Sequence, residues 1–411
     1  MIYKIYQLLS FLIYPLIHVI LLTRVIKGKE DYLRYKEKLG FYNVKRPSGK
    51  LIWFHAASIG EFNAILPIIK SITNHNILVT TVTLTAANIA KNNLPSNAFH
   101  QFMPLDCINI VKRFYSYWRP NLVIWTESEI WPNIISTCNV PLLLINARIS
   151  EKSYKHWCNF TNFTSFILSK FDLITAQSIE TKNYLEKLGA RNIHYFGNLK
   201  YLANNFNYDE VELKNIKSQI KNRVVIMAAS THSGEEEMFI ALSKNLKENY
   251  PKLLIIIAPR HPTRSEAVIK LMEGVNFVTR SSKNPIKNDT EIFLLDTIGE
   301  FGLFFRLTDI VCMGGSWKRI AHSFIEPAKL GNLIIFGPNT YNSREVADEF
   351  LEKKAALFAL DEAEIEKIVR EFLEAPKAFA NYKNNAIRTV DEMSQVKEKV
   401  IGKLSFYLDR L

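Results

Sequence analysis

Two successive series of short apolar runs, with an amphipathic stretch between each run and the next, constrain this chain more than any other feature. The first series begins with LIWFH (51–55). It continues through ILVTTVT (77–83), NLVIWT (121–126), VPLLLIN (140–146) and FDLITA (171–176). After the first run, GEFNAILPIIKSI sets Phe62, Ile65, Leu66, Ile69 and Ile72 at helical spacing. The polar, Asn-rich stretch YLANNFNYDE (201–210) interrupts the pattern. A second series then runs through RVVIMAAS (223–230), KLLIIIAP (252–259), NFVT (276–279), EIFLL (291–295), LTDIVCM (307–313) and NLIIFG (332–337). Apolar strands alternating with helices form parallel sheets built from βαβ units. The expectation is an α/β chain with two tandem Rossmann-like domains, residues 31–203 and 223–411, joined by a linker at 204–222. A cleft between such domains, at the carboxyl ends of the strands, is where open α/β sheets bind ligands. The carboxyl-terminal stretch from DEAEIEKIVREFLEAPKAF onward reads as charged helices of the second domain.

Ahead of both series, residues 5–23 carry no charged side chain apart from a protonated His18. As one helix they would span roughly 28 Å, close to the hydrocarbon core of about 30 Å. Residues 1–30 are therefore read as a membrane-anchor helix, a signal-anchor with no small-residue cleavage site behind it. Its length suits a crossing or a place in one leaflet, and a buried core helix is the bland alternative. Arg24, Lys27 and Lys29 after the run, against Lys4 before it, put the rest of the chain on the cytoplasmic side. The net charge of +12 favours an anionic partner, which includes nucleic acid, anionic lipid and phosphorylated small molecules. Cys107, Cys138, Cys158 and Cys312 form no CxxC pair and the histidines no HExxH, so neither a disulfide framework nor a metal site is expected.

Several loops at strand ends carry groups suited to chemistry. HAASIGE (55–61) runs from a strand into a helix, whose free N–H groups face an anion, and Glu61 sits in its first turn. An isolated carboxylate there is most simply a helix-dipole partner. TESEIWPN (126–133) brings Glu127 and Glu129, NARIS (146–150) closes another strand, and GNLK (197–200) ends in Lys200; capping and packing are their plain readings. In the second series, ASTHSGEEE (229–237) offers Ser230, Thr231 and His232, and APRHPTR (258–264) sets Pro259 and Arg260 at a strand tip. MGGSWKRIAHSFIEPAKLG (313–331) joins a glycine turn at Gly315 to a helix start near Ser323, a combination that lets backbone approach phosphate.

In this order WFHAASIGE, TESEIWPN, NARIS, GNLK, ASTHSGEEE, PRHPTR, DTIGE and GGS…HSFIEPA resemble the motif set of bacterial Kdo (3-deoxy-D-manno-octulosonic acid) transferases. RYKEKLGFY (34–42) is similar to the segment that follows their anchor, and the resemblance covers roughly residues 1 to 400. It implies a GT-B glycosyltransferase of the inner membrane that moves Kdo from CMP-Kdo to a lipid A precursor, lipid IVA, in lipopolysaccharide assembly. Residues 31–203 would then bind the acceptor and 223–411 the donor. The resemblance makes Glu61 the general base, and Glu127 or Glu129 with Lys200 the groups assisting the transition state. It places CMP-Kdo against Ser230, Thr231, His232, Pro259, Arg260, Ile298, Gly299, Glu300, Gly315 and the stretch Ser323, Phe324, Ile325 and Glu326. Ile320, Ala321, His322 and Ser323 depart from the family's usual Gly-Gly-His-Asn. Serine can cap a helix but lacks the paired donor and acceptor of an amide.

One base and no metal or other cofactor suit a single displacement with inversion. The acceptor would lie in an anionic membrane surface, which basic residues favour. The rivals are a GT-B transferase with another donor, a nucleotide-sugar epimerase, and a non-catalytic lipid-binding relative. A nucleic-acid binder lacks any aromatic RNA-binding motif, zinc finger or concentrated basic stripe to support it.

Overall fold

The computed structural model describes residues 2–202, 208–319 and 323–411. The chain divides into two compact units, residues 1–203 with 393–411, and residues 204–392.

The first unit is built on seven parallel strands. They are β1 (Leu51–His55), β2 (Asn76–Thr81), β3 (Ala98–Phe102), β4 (Leu122–Thr126), β5 (Leu142–Ala147), β6 (Leu173–Ala176) and β7 (Ile193–Tyr195). Their order is β3-β2-β1-β4-β5-β6-β7, so the direction of winding reverses between β1 and β4. Side chains alternate across a strand, and β1 feeds a different core on each face. Ile52 and Phe54 pack with Phe62, Ile65 and Ile69 of the following helix, while Leu51 and Trp53 pack with Phe114 and Trp118. Each such fully buried large side chain contributes about 1.5–3 kcal/mol of transfer free energy.

The second unit repeats the plan with β8 (Val224–Thr231), β9 (Leu253–Pro259), β10 (Phe277–Thr279), β11 (Ile292–Leu294), β12 (Ile310–Met313), β13 (Leu333–Phe336) and β14 (Leu357–Phe358). The order is β10-β11-β9-β8-β12-β13-β14, all parallel. The strands read from the sequence are all present, and β3, β7 and β14 are additional.

Three expectations need correction. The apolar amino terminus is not one helix but two, α1 (Ile2–Leu12) and α2 (Tyr14–Ile26), bent by 58°. Pro15 stands at the start of α2, where its missing N–H and its ring interrupt a continuous helix. Neither helix alone is long and apolar enough to cross a membrane. The stretch 204–222 is not all linker, because the helix Glu210–Gln219 belongs to the second unit and buries Ile216. Finally, residues 393–411 return to the first unit: the helix Val396–Leu408 buries Val396, Val400 and Leu404 in the same core as Ile52 and Phe54.

Candidate active site

In the first unit three strand ends and one turn bring ionisable groups together. After β1 the chain enters the helix α3 (Ile59–Ser71), capped by Ser58, whose hydroxyl accepts from the Glu61 amide at 3.3 Å. The Glu61 side chain folds back over this cap. Its Oε2 accepts from the Ala57 amide at 2.8 Å and from Thr126 Oγ1 at 3.3 Å, and its Oε1 accepts from Ser58 Oγ at 3.1 Å. Only 8% of Glu61 is exposed. Burial pushes its carboxyl above the usual carboxylate range; the Ala57 and Ser58 bonds oppose this, and the charges of Glu127 and Glu129 reinforce it. A carboxylate so held is a stronger proton acceptor than one in water.

Glu127 follows β4 in a left-handed conformation (φ 56°), and Asn146 at the end of β5 does the same (φ 54°). Strain of this kind, about 1–3 kcal/mol per residue, clusters at functional sites. Here it aims both side chains at one point: Asn146 Nδ2 donates to Glu127 Oε1 at 3.3 Å, and Lys200 Nζ pairs with the same oxygen at 2.7 Å. Asn146 Oδ1 in turn accepts from the Leu199 amide at 2.9 Å, fixing the turn that carries Lys200. Gly197 opens that turn at φ 99°, and a Cβ there would lie 2.8 Å from Val396 of the carboxyl-terminal helix. Of the two carboxylates in TESEIWPN, the structure joins Glu127 to Lys200. Glu129 is half-buried, and its main-chain carbonyl accepts from the Trp125 indole. His55, wholly buried, is held neutral, its pKa pushed down to about 3 by burial.

In the second unit the candidate donor residues stand at the ends of β8, β9, β11 and β12, which are neighbours in the sheet. Ser230 is left-handed (φ 60°), and Gly314 approaches it so closely that a Cβ would meet its carbonyl carbon and oxygen at 2.6 Å. Thr231 Oγ1 donates to Glu236 at 3.2 Å, and the Thr231 carbonyl accepts from the Arg260 amide at 2.9 Å. Burial lowers the pKa of the partly buried His232. Pro259 is buried at the end of β9, and the Arg260 side chain beyond it is exposed. After β11, Ile298 is 84% exposed beside Gly299 (φ 87°). Glu300 is gripped by Arg280 at 2.7 Å. Burial pushes its carboxyl up, but the bonds from Arg280 and Thr297 outweigh this and leave its pKa below the ordinary range.

Ser323 Oγ accepts from the Ile325 amide at 3.4 Å. Phe324 is buried against Phe336, and Ile325 is buried beside it. Burial raises the Glu326 carboxyl. The departures at 320–322 lie outside the described residues.

Sequence reasoning missed Glu235. Its wholly buried carboxylate accepts from the amides of His232 (3.0 Å), Gly315 (2.7 Å), Trp317 (3.0 Å) and Lys318 (3.2 Å). It thereby ties the loop after β8 to the glycine loop after β12. The acid run GEEE was its only trace in the sequence.

A family model described as 3-deoxy-D-manno-octulosonic-acid transferase (kdotransferase) matches residues 33–203. The 3-deoxy-D-manno-octulosonic acid transferase of Rickettsia bellii is 33% identical, over 97% of this chain and 98% of its own length. The chain belongs to the Kdo transferase family. The Haemophilus influenzae transferase agrees, at 30% identity over 98% of both chains. As a member, this enzyme is a glycosyltransferase that moves Kdo. Two solved structures share its fold at low identity. The UDP-GlcNAc 2-epimerase of Neisseria meningitidis has a TM-score of 0.57 at 13% identity, over 87% of this chain and 99% of that one. The UDP complex of Anabaena HepE has a TM-score of 0.55 at 12% identity, over 87% and 100%. The two parallel α/β sheets of the transferase are thus of the GT-B type.

Proposed function

We propose that this transferase moves Kdo from CMP-Kdo to a hydroxyl of a phosphorylated, acylated lipid A precursor, by one displacement that inverts the anomeric carbon. The observation that carries the reading is Glu61, a carboxylate buried at the end of β1 with its pKa raised. A sugar hydroxyl is a poor nucleophile, and a carboxylate within hydrogen-bond reach can take its proton as the new C–O bond forms. The bond from the anomeric carbon to the phosphate oxygen breaks with its electron pair, and CMP leaves. Lys200, oriented by Glu127 and Asn146 in the first unit, would stabilise developing negative charge, and Arg260 at the tip of β9 in the second would pair with the donor's phosphate, without a metal ion. The loops of Ser230–His232, Ile298–Glu300 and Gly315 would hold the nucleotide, with Ser323–Glu326 beside them.

The acceptor suggests where the enzyme works. Leu8, Leu12, Leu16, Val19 and Leu22 of α1 and α2 are exposed, and Arg24, Lys27 and Lys29 follow them. Such a bent apolar pair flanked by basic residues would embed in the cytoplasmic leaflet of the inner membrane. The test is transfer of Kdo from CMP-Kdo to tetra-acylated lipid A precursor in detergent, read by mass spectrometry of the lipid. A mass gain of one or more Kdo units is expected, and its absence with folded protein and intact donor would overturn the reading.

A further inference from the structure

Beneath α1 and α2 lies an apolar cavity of about 590 Å³ within the first unit. Leu9, Ile13 and Ile17 of the helix pair form its roof, and Val82, Leu105 and Trp131 of the strand-end loops form its floor. The roof is tied to the body by polar bonds as well as by packing: Tyr6 Oη donates to Asp106 at 2.8 Å, and Asn133 Nδ2 donates to Ser10 Oγ at 3.1 Å. The volume lies within the roughly 300–1,000 Å³ of ordinary ligand pockets.

Two observations say what fills it. The first is its position next to the candidate base. The Val82 amide donates to the Ala57 carbonyl at 3.3 Å, and the Ala57 amide donates to Glu61 Oε2 at 2.8 Å. The apolar floor and the reacting carboxylate thus share one stretch of backbone. The second is charge. Lys38 and Arg24 line the cavity and share the single carboxylate of Glu30, at 2.5 and 2.7 Å. The Arg24 side chain is 49% exposed and that of Glu30 4%, so Arg24 is the outward charge of this trio, while the other carboxylate of the lining, Asp106, is taken up by Tyr6 and the amides of Asn133 and Ile134.

A long apolar chain with an anionic group at its head matches both. We propose that this cavity is the seat of one acyl chain of the acceptor lipid, with the chain packed against Val82, Leu105 and Trp131 and Arg24 facing the anionic head. The inference rests on the acylated acceptor of the proposed function. It makes α1 and α2 part of acceptor recognition as well as of attachment, and it gives the enzyme a preference for acylated over bare sugar.

The experiment measures Kdo transfer at saturating CMP-Kdo to tetra-acylated acceptor in mixed micelles and to the fully deacylated bisphosphorylated disaccharide. Wild type is compared with Ile17→Trp and Leu105→Trp, which fill the cavity. An acceptor analogue with a diazirine at the end of an acyl chain is photolysed on wild type in parallel. The variants are expected to lose about tenfold or more in kcat/KM on the acylated acceptor, the equivalent of about two buried methylene groups. Their rate on the deacylated disaccharide should be unchanged, and the diazirine should label the cavity floor. Unchanged kinetics on the acylated acceptor, equal loss on both acceptors, labelling elsewhere, or equal labelling by a diazirine phosphatidylethanolamine would each overturn the pocket. No transfer by wild type to either acceptor would instead sink the acceptor reading on which the pocket rests. Label on the floor decides the matter should a variant fail to fold.

Discussion

Removing the Glu235 carboxylate should loosen the second unit by an amount the structure allows to be worked out. Glu235→Ala leaves the amides of His232, Gly315, Trp317 and Lys318 without their acceptor. Each buried donor left unpaired costs about 1–3 kcal/mol, and water entering the space would recover part of it, so a loss of about 4 kcal/mol is expected. Glu235→Gln should be intermediate. Its oxygen can keep two of the four donors, but its NH₂ then faces the other two, giving a loss of about 2–3 kcal/mol. Trp317 is the one tryptophan in residues 204–392. Fluorine NMR of fluorotryptophan-labelled protein during urea unfolding therefore reports the second unit at the loop in question. Donor affinity should fall in the same order, because the carboxylate joins two of the candidate phosphate-facing loops. A loss below about 1 kcal/mol for Glu235→Ala would refute the view that this carboxylate organises the loops.

Glu61→Gln should lower transfer by about 10²–10⁴-fold while leaving CMP affinity intact, checked by turnover and calorimetry; near-normal turnover would remove Glu61 as base. In wild type, kcat/KM should fall as pH drops through the raised Glu61 pKa, above the ordinary carboxylate range, because protonation removes the base. The sign for stability is opposite: a carboxyl whose folded pKa is raised destabilises when ionised. Glu61→Gln should therefore be the more stable protein at neutral pH, by a margin that disappears in acid. Lys200→Met should cut kcat by about 10²-fold with little change in KM for the donor, and an unchanged kcat would assign the Glu127–Lys200 pair to structure alone. Arg260→Ala should weaken CMP binding by about tenfold or more in calorimetry, the loss of one charge-assisted bond.

How much of this was legible depended on burial. The central strands are covered on both faces and read as unbroken apolar runs such as LIWFH and LLIIIAP. The strands that escaped, β3, β7 and β14, are all at sheet edges, where AFHQF, IHY and LF are only partly buried and carry no continuous run. Pro15 stood in plain view within the amino-terminal run and told against a simple spanning helix, but length and hydropathy did not show that the run divides into two. Site residues on motif loops were found because each followed an apolar run. Glu235, Asn146 and Arg280 were not, because their roles rest on partners distant in sequence: Gly315, Glu127 with Leu199, and Glu300. The spacing of Val396, Val400 and Leu404 marks an amphipathic helix but cannot say which core it covers.

That last helix also decides when the enzyme can first work. Translation delivers Lys200 and its turn early, but Val396, against which Gly197 is seated, leaves the ribosome only after the whole second unit. The early half of the nascent chain therefore waits with an open flank on its hydrophobic interior. A chain truncated before Val396 would carry the whole of the second unit and a first unit without that helix in its core. The position of this helix thus makes the first unit's interior a joint product of segments that lie before and after the second unit in the chain.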